Sequence, residues 1–261
     1  MFRALTAAVT GFLLLAFAGR ALAGEELIQL PTRPGVTVPF WLTSPADAPV
    51  ASVVLLPGGA GLLYSARKPE PSSRNFLVRS RDKFAAAGFL VASVDGPSDH
   101  PEGLASFRDT AEHAQDIAAV IAYLRQKAAV PVWIIGDSAS TISVANVATR
   151  LKSGGPDGLV FVSSIVAATR QAPSIQGMFD FGAIALPTLF VHNKEDACAA
   201  SPFGAVPSFM ARFTSTPRKQ LIAVSGGIPP QSDPCEALSR HGYFGIEDEV
   251  VTAIADWIKE S

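Results

Sequence analysis

A serine follows an apolar run in the segment VPVWIIGDSASTISVA, residues 130–145. The apolar run predicts a buried strand, GDSAS at 136–140 a sharp turn, and the small residues that follow a helix. A serine at the apex of such a strand–turn–helix unit can act as a nucleophile, as in the elbow pattern G-x-S-x-G. Here Ser140 replaces the last glycine. The pattern around Ser138 is therefore also compatible with an ordinary serine-rich turn.

A serine hydroxyl is a weak nucleophile near neutral pH and needs a base to activate it. The chain has four histidines, namely His100, His113, His192 and His241. We expect His113 to be a surface or boundary residue of a helix and His192 to shape the loop after its strand. His241 lies in a loop between the last predicted strand and the last predicted helix. It is the predicted base, and a solvated loop histidine is the alternative.

The base in turn needs an acid that orients it. Two carboxylates, Glu195 and Asp196, directly follow the predicted strand that ends at His192. Asp196 is the preferred candidate. Either residue could instead be a solvated loop acid or a helix cap.

Backbone N–H groups near the serine would have to stabilise the oxyanion. Ala139 directly follows the serine, and the sequence PGGAG at 57–61 lets the backbone approach a substrate closely. Gly59 and Ala60 in that loop are the candidates for the second donor. The loop lacks both the Lys-Ser/Thr of a phosphate-binding P-loop and the G-x-G-x-x-G spacing. A second G-x-S, which ends at Ser98, contains a proline and suits a loop better than an elbow.

Strand-like apolar runs and helix-like stretches alternate along the chain. The predicted strands are Glu26–Leu30, Val36–Leu42, Ala51–Leu56, Phe89–Val94, Val132–Ile135, Gly158–Val162, Thr188–His192 and Gln220–Val224. The predicted helices are Asn75–Ala87, Phe107–Lys127, Ile142–Leu151 and Glu247–Lys259. This order predicts a single α/β domain over residues 24–261, with a mostly parallel central sheet and helices on both faces. About 20 residues separate Ile165 from Leu186, which leaves little room for a large cap.

The first 23 residues have the anatomy of a secretory signal peptide. A short basic start precedes an apolar run from Ala4 to Gly19, and Ala21-Leu22-Ala23 fits a cleavage signal. A membrane anchor is the alternative, but the run is shorter than a bilayer span requires. We expect a periplasmic or secreted protein with no membrane segment after cleavage. The formal net charge of −2, without a basic run, argues against nucleic-acid binding.

Export affects the interpretation of Cys198 and Cys235, the only cysteines. An oxidising compartment favours a disulfide between them, with two free thiols as the alternative. Two cysteines without nearby histidines form a poor metal-ligand set, so no metal site is expected.

The order of glycine-rich loop, elbow serine, post-strand acid and late histidine resembles the α/β-hydrolase family. The resemblance covers nearly all of the mature chain and implies that Ser138, Asp196 and His241 form a catalytic triad. It implies an oxyanion hole made by the N–H of Ala139 and the loop 57–61, where Pro57 replaces the histidine that many esterases carry. It also implies that a disulfide would tie the acid loop to the histidine loop.

The resemblance thus predicts a serine hydrolase that acts on a small-molecule or acyl ester through an acyl-enzyme, without a cofactor. A thioesterase, peptidase or lipase on the same triad remains open, since the fold hosts all of these activities. A non-catalytic binding protein with this fold is the alternative from another class. The sequence does not define the oligomeric state.

Overall fold

The computed structural model of the chain describes residues 24–64, 72–151, 153–170 and 173–261. The predicted signal peptide, residues 1–23, lies outside these ranges. The strands are β1 (Glu25–Arg33), β2 (Val36–Thr43), β3 (Ala51–Leu56), β4 (Phe89–Val94), β5 (Val132–Asp137), β6 (Gly158–Val162), β7 (Thr188–Asn193) and β8 (Lys219–Val224). The helices are α1 (Phe76–Arg79), α2 (Arg81–Ala86), α3 (Ala111–Lys127), α4 (Thr141–Arg150), α5 (Val206–Ala211) and α6 (Glu247–Lys259). No helix in the described ranges is long and apolar enough to cross a membrane.

The eight strands form one sheet in the order β1-β2-β4-β3-β5-β6-β7-β8. β2 pairs antiparallel with both β1 and β4, and all the other pairs are parallel. The prediction of a mostly parallel sheet is confirmed. Because parallel strands end at the same edge, the loops after β3, β5, β7 and β8 meet there, where α/β proteins bind ligands.

Each central strand is buried on both faces. On β5, Val132 and Ile134 belong to the apolar cluster that includes residues of α3 and α4. Trp133 and Ile135 belong to the cluster that includes residues of α1, α2 and α6. Side chains alternate between the faces of a strand, so continuous apolar runs are what a sheet covered by helices on both sides requires.

The predicted helix Asn75–Ala87 is two helices. Ser80 leaves the helical conformation, with φ −105° and ψ 3°, and separates α1 from α2. The break follows Arg79, whose guanidinium donates to Glu247 at 2.9 Å and to the carbonyl of Gly242. The local sequence is compatible with one helix, but Arg79 at the break contacts Gly242 and Glu247, which are distant in the sequence.

The predicted start of the next helix at Phe107 is also wrong, because α3 begins at Ala111. Thr110 is extended, and its hydroxyl accepts the backbone N–H of His113 at 3.1 Å, which makes it the N-cap. The expectation that His113 lies at the surface is wrong as well, since it is 3% exposed. Its Nε2 lies 2.8 Å from the hydroxyl of Ser143 on α4, which provides the buried ring with a polar partner.

The connection between β6 and β7 contains two short 3₁₀ turns, Ile175–Gly177 and Phe181–Ala183. Phe181 is fully buried, with its ring centroid 4.9 Å from that of Phe209 and 5.0 Å from that of Phe213. The turn thereby belongs to the core. Among the described residues, this connection forms no large cap, as the short segment predicts.

Gly158 on β6 leaves the space into which the Trp133 ring packs. The two residues are register partners, and a β-carbon at position 158 would lie 2.1 Å from the indole. We expect Gly158→Ala to lower the free energy of unfolding in urea by about 1–3 kcal/mol, because a buried ring must move. Gly204→Ala is the matched control, since nothing lies within 4 Å of its β-carbon position. Equal unfolding midpoints for the two variants would contradict this packing.

Candidate active site

The turn after β5 carries Ser138 at its apex. β5 ends at Asp137, a 3₁₀ turn covers Ser138–Ser140, and α4 begins at Thr141. Ser138 has φ 54°, a left-handed conformation that costs energy for a residue other than glycine. Its side chain is partly exposed at the edge of the sheet where the parallel strands end. This backbone is the sharp elbow that the sequence predicts.

Two glycines permit the close packing around this elbow. A β-carbon at Gly136 would lie 2.5 Å from the carbonyl oxygen of Ser140. A β-carbon at Gly58 would lie 2.7 Å from the carbonyl oxygen of Asp137 and 2.9 Å from Cβ of Ser138. The glycine-rich loop after β3 is therefore in direct contact with the elbow, as an oxyanion loop would have to be.

His241 and Asp196 form a buried hydrogen-bonded pair. The distance from His241 Nδ1 to Asp196 Oδ2 is 2.8 Å, and the two side chains are 3% and 0% exposed. Asp196 Oδ1 accepts the backbone N–H of Cys198 at 2.9 Å. The carboxylate is held by both oxygens, so it fixes the plane of the imidazole.

The competing candidates have other partners. Glu195 accepts the N–H of Gly226 at 2.8 Å and is half exposed. Nε2 of His192 lies 2.8 Å from the carbonyl oxygen of Ser201 and 3.4 Å from Asp196. His192 therefore lies close to both the Asp196 carboxylate and the carbonyl of Ser201. Glu195 instead binds the backbone of the loop at Gly226.

Asp137, Asp196 and His241 influence one another's pKa values. Burial alone would lower the pKa of His241, but the hydrogen bond to Asp196 and the charges of Asp196 and Asp137 raise it above the ordinary 6.5. Burial opposes ionisation of Asp196, but hydrogen bonds from His192 and His241 hold its pKa below the ordinary value. Complete burial raises the pKa of Asp137, despite the nearby His241 and a hydrogen bond from Asn75.

Ser138 and His241 line the same cavity, which has a volume of about 600 Å³. The Nε2 atom of His241 is buried and has no hydrogen-bond partner among the described residues. A ring nitrogen of this kind is available to a proton donor that enters the cavity. The lining is otherwise mixed and includes Asn75, Asp137, Leu62, Tyr64 and Leu238.

Several supporting residues have no distinctive sequence signal. Asn75 caps α1 and donates to Asp137 at 2.6 Å. The Ser163 hydroxyl donates to the carbonyl of His241 at 2.8 Å, and the Tyr243 hydroxyl lies 2.9 Å from that of Ser163. Sequence reasoning missed them because they act through contacts between distant segments.

Cys198 and Cys235 are joined in a disulfide. Cys198 also provides the N–H that binds Asp196, and Cys235 lies six residues before His241 and lines the cavity. The bond connects the loop of the acid to the loop of the histidine. The described residues contain no group of three or more His, Cys, Asp or Glu side chains placed to hold a metal ion.

Several solved structures are similar to this chain over about nine tenths of its length. An esterase from Pyrococcus furiosus is 14% identical, with a TM-score of 0.62 over 91% of this chain and 93% of its own. A serine hydrolase homologue from Coxiella burnetii is 19% identical, with a TM-score of 0.60 over 90% and 97%. The chain has the α/β-hydrolase fold. A lidless serine hydrolase from Xanthomonas campestris, 13% identical, has a TM-score of 0.62 over 91% and 94%. No family profile and no curated protein matches the sequence.

The α/β-hydrolase fold explains why three distant residues lie at one edge of the sheet. Ser138 follows β5, Asp196 follows β7, and His241 lies between β8 and α6. Because β5, β7 and β8 are parallel, their carboxyl ends deliver these loops to the same side.

The raised pKa of His241 provides a direct test of the pair. We expect its imidazole NMR signals to titrate above pH 6.5, because Asp196 stabilises the charged ring. In Asp196→Asn the midpoint should fall, since the burial of the ring is then opposed only by the more distant Asp137. The signals of His113, whose pKa burial lowers to about 3, are an internal control and should not titrate in this range. An unchanged His241 midpoint in Asp196→Asn would contradict the coupling.

Proposed function

We propose that this chain is an exported serine hydrolase that cleaves a carboxylic ester through Ser138, His241 and Asp196. One observation carries the proposal. The strained elbow at Ser138 shares a cavity with His241, whose Nδ1 is hydrogen-bonded to Asp196 and whose Nε2 has no partner among the described residues. Backbone strain of this kind clusters at functional sites, and the partners are those that a serine nucleophile needs.

In the acylation step, Nε2 of His241 takes the proton of the Ser138 hydroxyl while the oxygen attacks the ester carbonyl. Asp196 remains ionised and stabilises the imidazolium that forms. The carbonyl oxygen becomes an oxyanion, and the N–H groups of Ala139 and of the loop 57–61, at Gly59 or Ala60, bind it. When the tetrahedral intermediate collapses, His241 returns the proton to the leaving alcohol.

Deacylation uses the same groups in the reverse order. His241 takes a proton from water, the resulting hydroxide attacks the acyl-enzyme, and the carboxylic acid leaves as Ser138 recovers its proton. Neither step uses a cofactor.

The cavity supports a small-molecule substrate. A volume of about 600 Å³ is within the range of ordinary ligand pockets. The mixed lining suits an ester with both polar and apolar parts, and the absence of a large cap among the described residues leaves the elbow accessible. The structural neighbour from Pyrococcus furiosus is described as an esterase, which supports an ester substrate.

Export to the periplasm or the medium is supported by the signal-like residues 1–23 and by the disulfide. Disulfides persist in oxidising compartments. The bond would hold the Asp196 and His241 loops together where reducing systems and ATP-driven chaperones are absent.

Hydrolysis of p-nitrophenyl acetate by the mature protein tests the proposal. We expect turnover by the wild type and a fall in kcat of roughly 10⁴-fold or more in Ser138→Ala, because the nucleophile is lost. Ser98→Ala is the matched control, since Ser98 belongs to the second G-x-S, is exposed, and has a hydroxyl that accepts the Thr37 N–H at 3.1 Å.

The same assay with longer acyl chains defines the acyl specificity.

Equal rates for Ser138→Ala and the wild type, or a loss of activity in Ser98→Ala and not in Ser138→Ala, would refute the proposed nucleophile.

A further inference from the structure

Ser140 stands where the elbow pattern has glycine, and its side chain is buried, at 1% exposure. Its hydroxyl donates to the carbonyl of Pro57 at 2.5 Å. Pro57 is the first residue of the loop 57–61, which follows β3 and rests against Ser138. The side chain that breaks the pattern therefore connects the elbow to the proposed oxyanion loop. A glycine at this position could not form this bond.

Arg108 extends the connection. Its Nε donates to the Ser140 hydroxyl at 3.3 Å, and one terminal nitrogen donates to the carbonyl of Gly59 at 2.7 Å. Pro57 and Gly59, which lie on either side of Gly58, are thus held by one network of Ser140, in the turn before α4, and Arg108, in the turn before α3. The hydroxyl of Ser140 accepts from Arg108 and donates to Pro57, so both of its hydrogen-bonding roles are used.

Arg108 is 3% exposed and forms no ion pair within 4.0 Å with an Asp or Glu of the described residues. Burial lowers its pKa to about 10, so it remains protonated at neutral pH. A buried charge without a carboxylate is costly unless something else compensates it. Arg108 lines a second cavity, of about 390 Å³, together with Gly59 and Ala139, whereas Ser138 and His241 line the cavity of about 600 Å³. Gly59 lines both cavities, so the Arg108 charge acts on the proposed oxyanion site through the backbone of that residue.

The bond to Gly59 also affects the adjacent donor. The carbonyl of Gly59 and the N–H of Ala60 belong to the same peptide unit. A cation on the carbonyl polarises that unit and strengthens its N–H as a donor.

We propose that Ser140 and Arg108 are positioning residues that hold the loop 57–61 in the geometry of an oxyanion hole, with the Arg108 charge favouring the oxyanion. This inference rests on the proposed serine hydrolase function and deepens it. Neither residue touches the reacting atoms in this account. Both act through the backbone of Pro57 and Gly59, and rates are sensitive to small displacements of such donors.

The test compares Ser140→Ala and Ser140→Gly with Ser143→Ala. Ser143 is the matched control, because it is a buried serine of α4 whose hydroxyl pairs with His113 and not with the loop. We expect both Ser140 variants to lower kcat on p-nitrophenyl acetate by about 10-fold, the equivalent of one lost hydrogen bond, with KM little changed. Ser143→Ala should lower the unfolding midpoint and leave kcat within about twofold.

A trifluoromethyl ketone separates an oxyanion effect from a general loss of structure. Ser138 Oγ adds to its carbonyl carbon, His241 takes the proton, and the carbonyl oxygen becomes a bound oxyanion. In the Ser140 variants the inhibition constant should rise by the same factor by which kcat/KM falls. Arg108→Lys, which keeps the charge, should retain more activity and more affinity than Arg108→Met.

Amide hydrogen exchange gives a readout that does not depend on turnover. Exchange of the loop 57–61 should accelerate in Ser140→Ala and not in Ser143→Ala. The positioning role would be overturned if the Ser140 variants kept the wild-type reaction rates, inhibitor affinity and protection of the loop 57–61 from exchange. If the wild type itself neither hydrolyses the ester nor binds the ketone, the proposed function fails and this inference fails with it. An active wild type with indifferent Ser140 variants refutes this inference alone.

Discussion

The left-handed backbone of Ser138, with φ 54°, is the constraint on which the surrounding arrangement depends. A residue with a side chain in this conformation costs of the order of 1–3 kcal/mol, which packing must offset. The residues around Ser138 compensate for this cost. Gly136 and Gly58 provide the space for the elbow, and the strand and helix on either side are buried in the two apolar clusters. The fold thus holds Ser138, at the edge of the sheet where the parallel strands end, in a backbone conformation that is locally unfavourable.

Electrostatics impose a second constraint on the same region. Asp196, Asp137 and His241 are all buried, and buried charges are tolerated only where partners are provided. Asp196 has the His241 ring, the Cys198 N–H and the nearby His192 as partners, so its ionised form is stabilised. Asp137 has Asn75 on one oxygen and no partner among the described residues on the other, and burial raises its pKa. The pKa values of the two acids near His241 are thus shifted in opposite directions.

Sequence patterns predicted the sheet and the neighbourhood of the site because both are local signals. Apolar runs mark strands that are covered on both faces, and Ser138, Asp196 and His241 each follow such a run or precede the last helix. What the sequence could not reveal depends on contacts between distant segments. The break at Ser80, the burial of His113 and the use of Ser140 all arise from such contacts. The sequence shows only that Ser140 replaces a glycine, whereas the structure shows that its hydroxyl donates to the carbonyl of Pro57.

The most direct test of the central claim is to map the site at which a fluorophosphonate modifies the folded, unreduced mature protein. The reagent bonds to an activated serine oxygen with loss of fluoride, so peptide mass mapping identifies the residue. The account predicts a single adduct on Ser138, formed much more slowly in His241→Ala. No adduct on the folded wild type, or an adduct on a different residue, would contradict the claim that Ser138 is activated by His241.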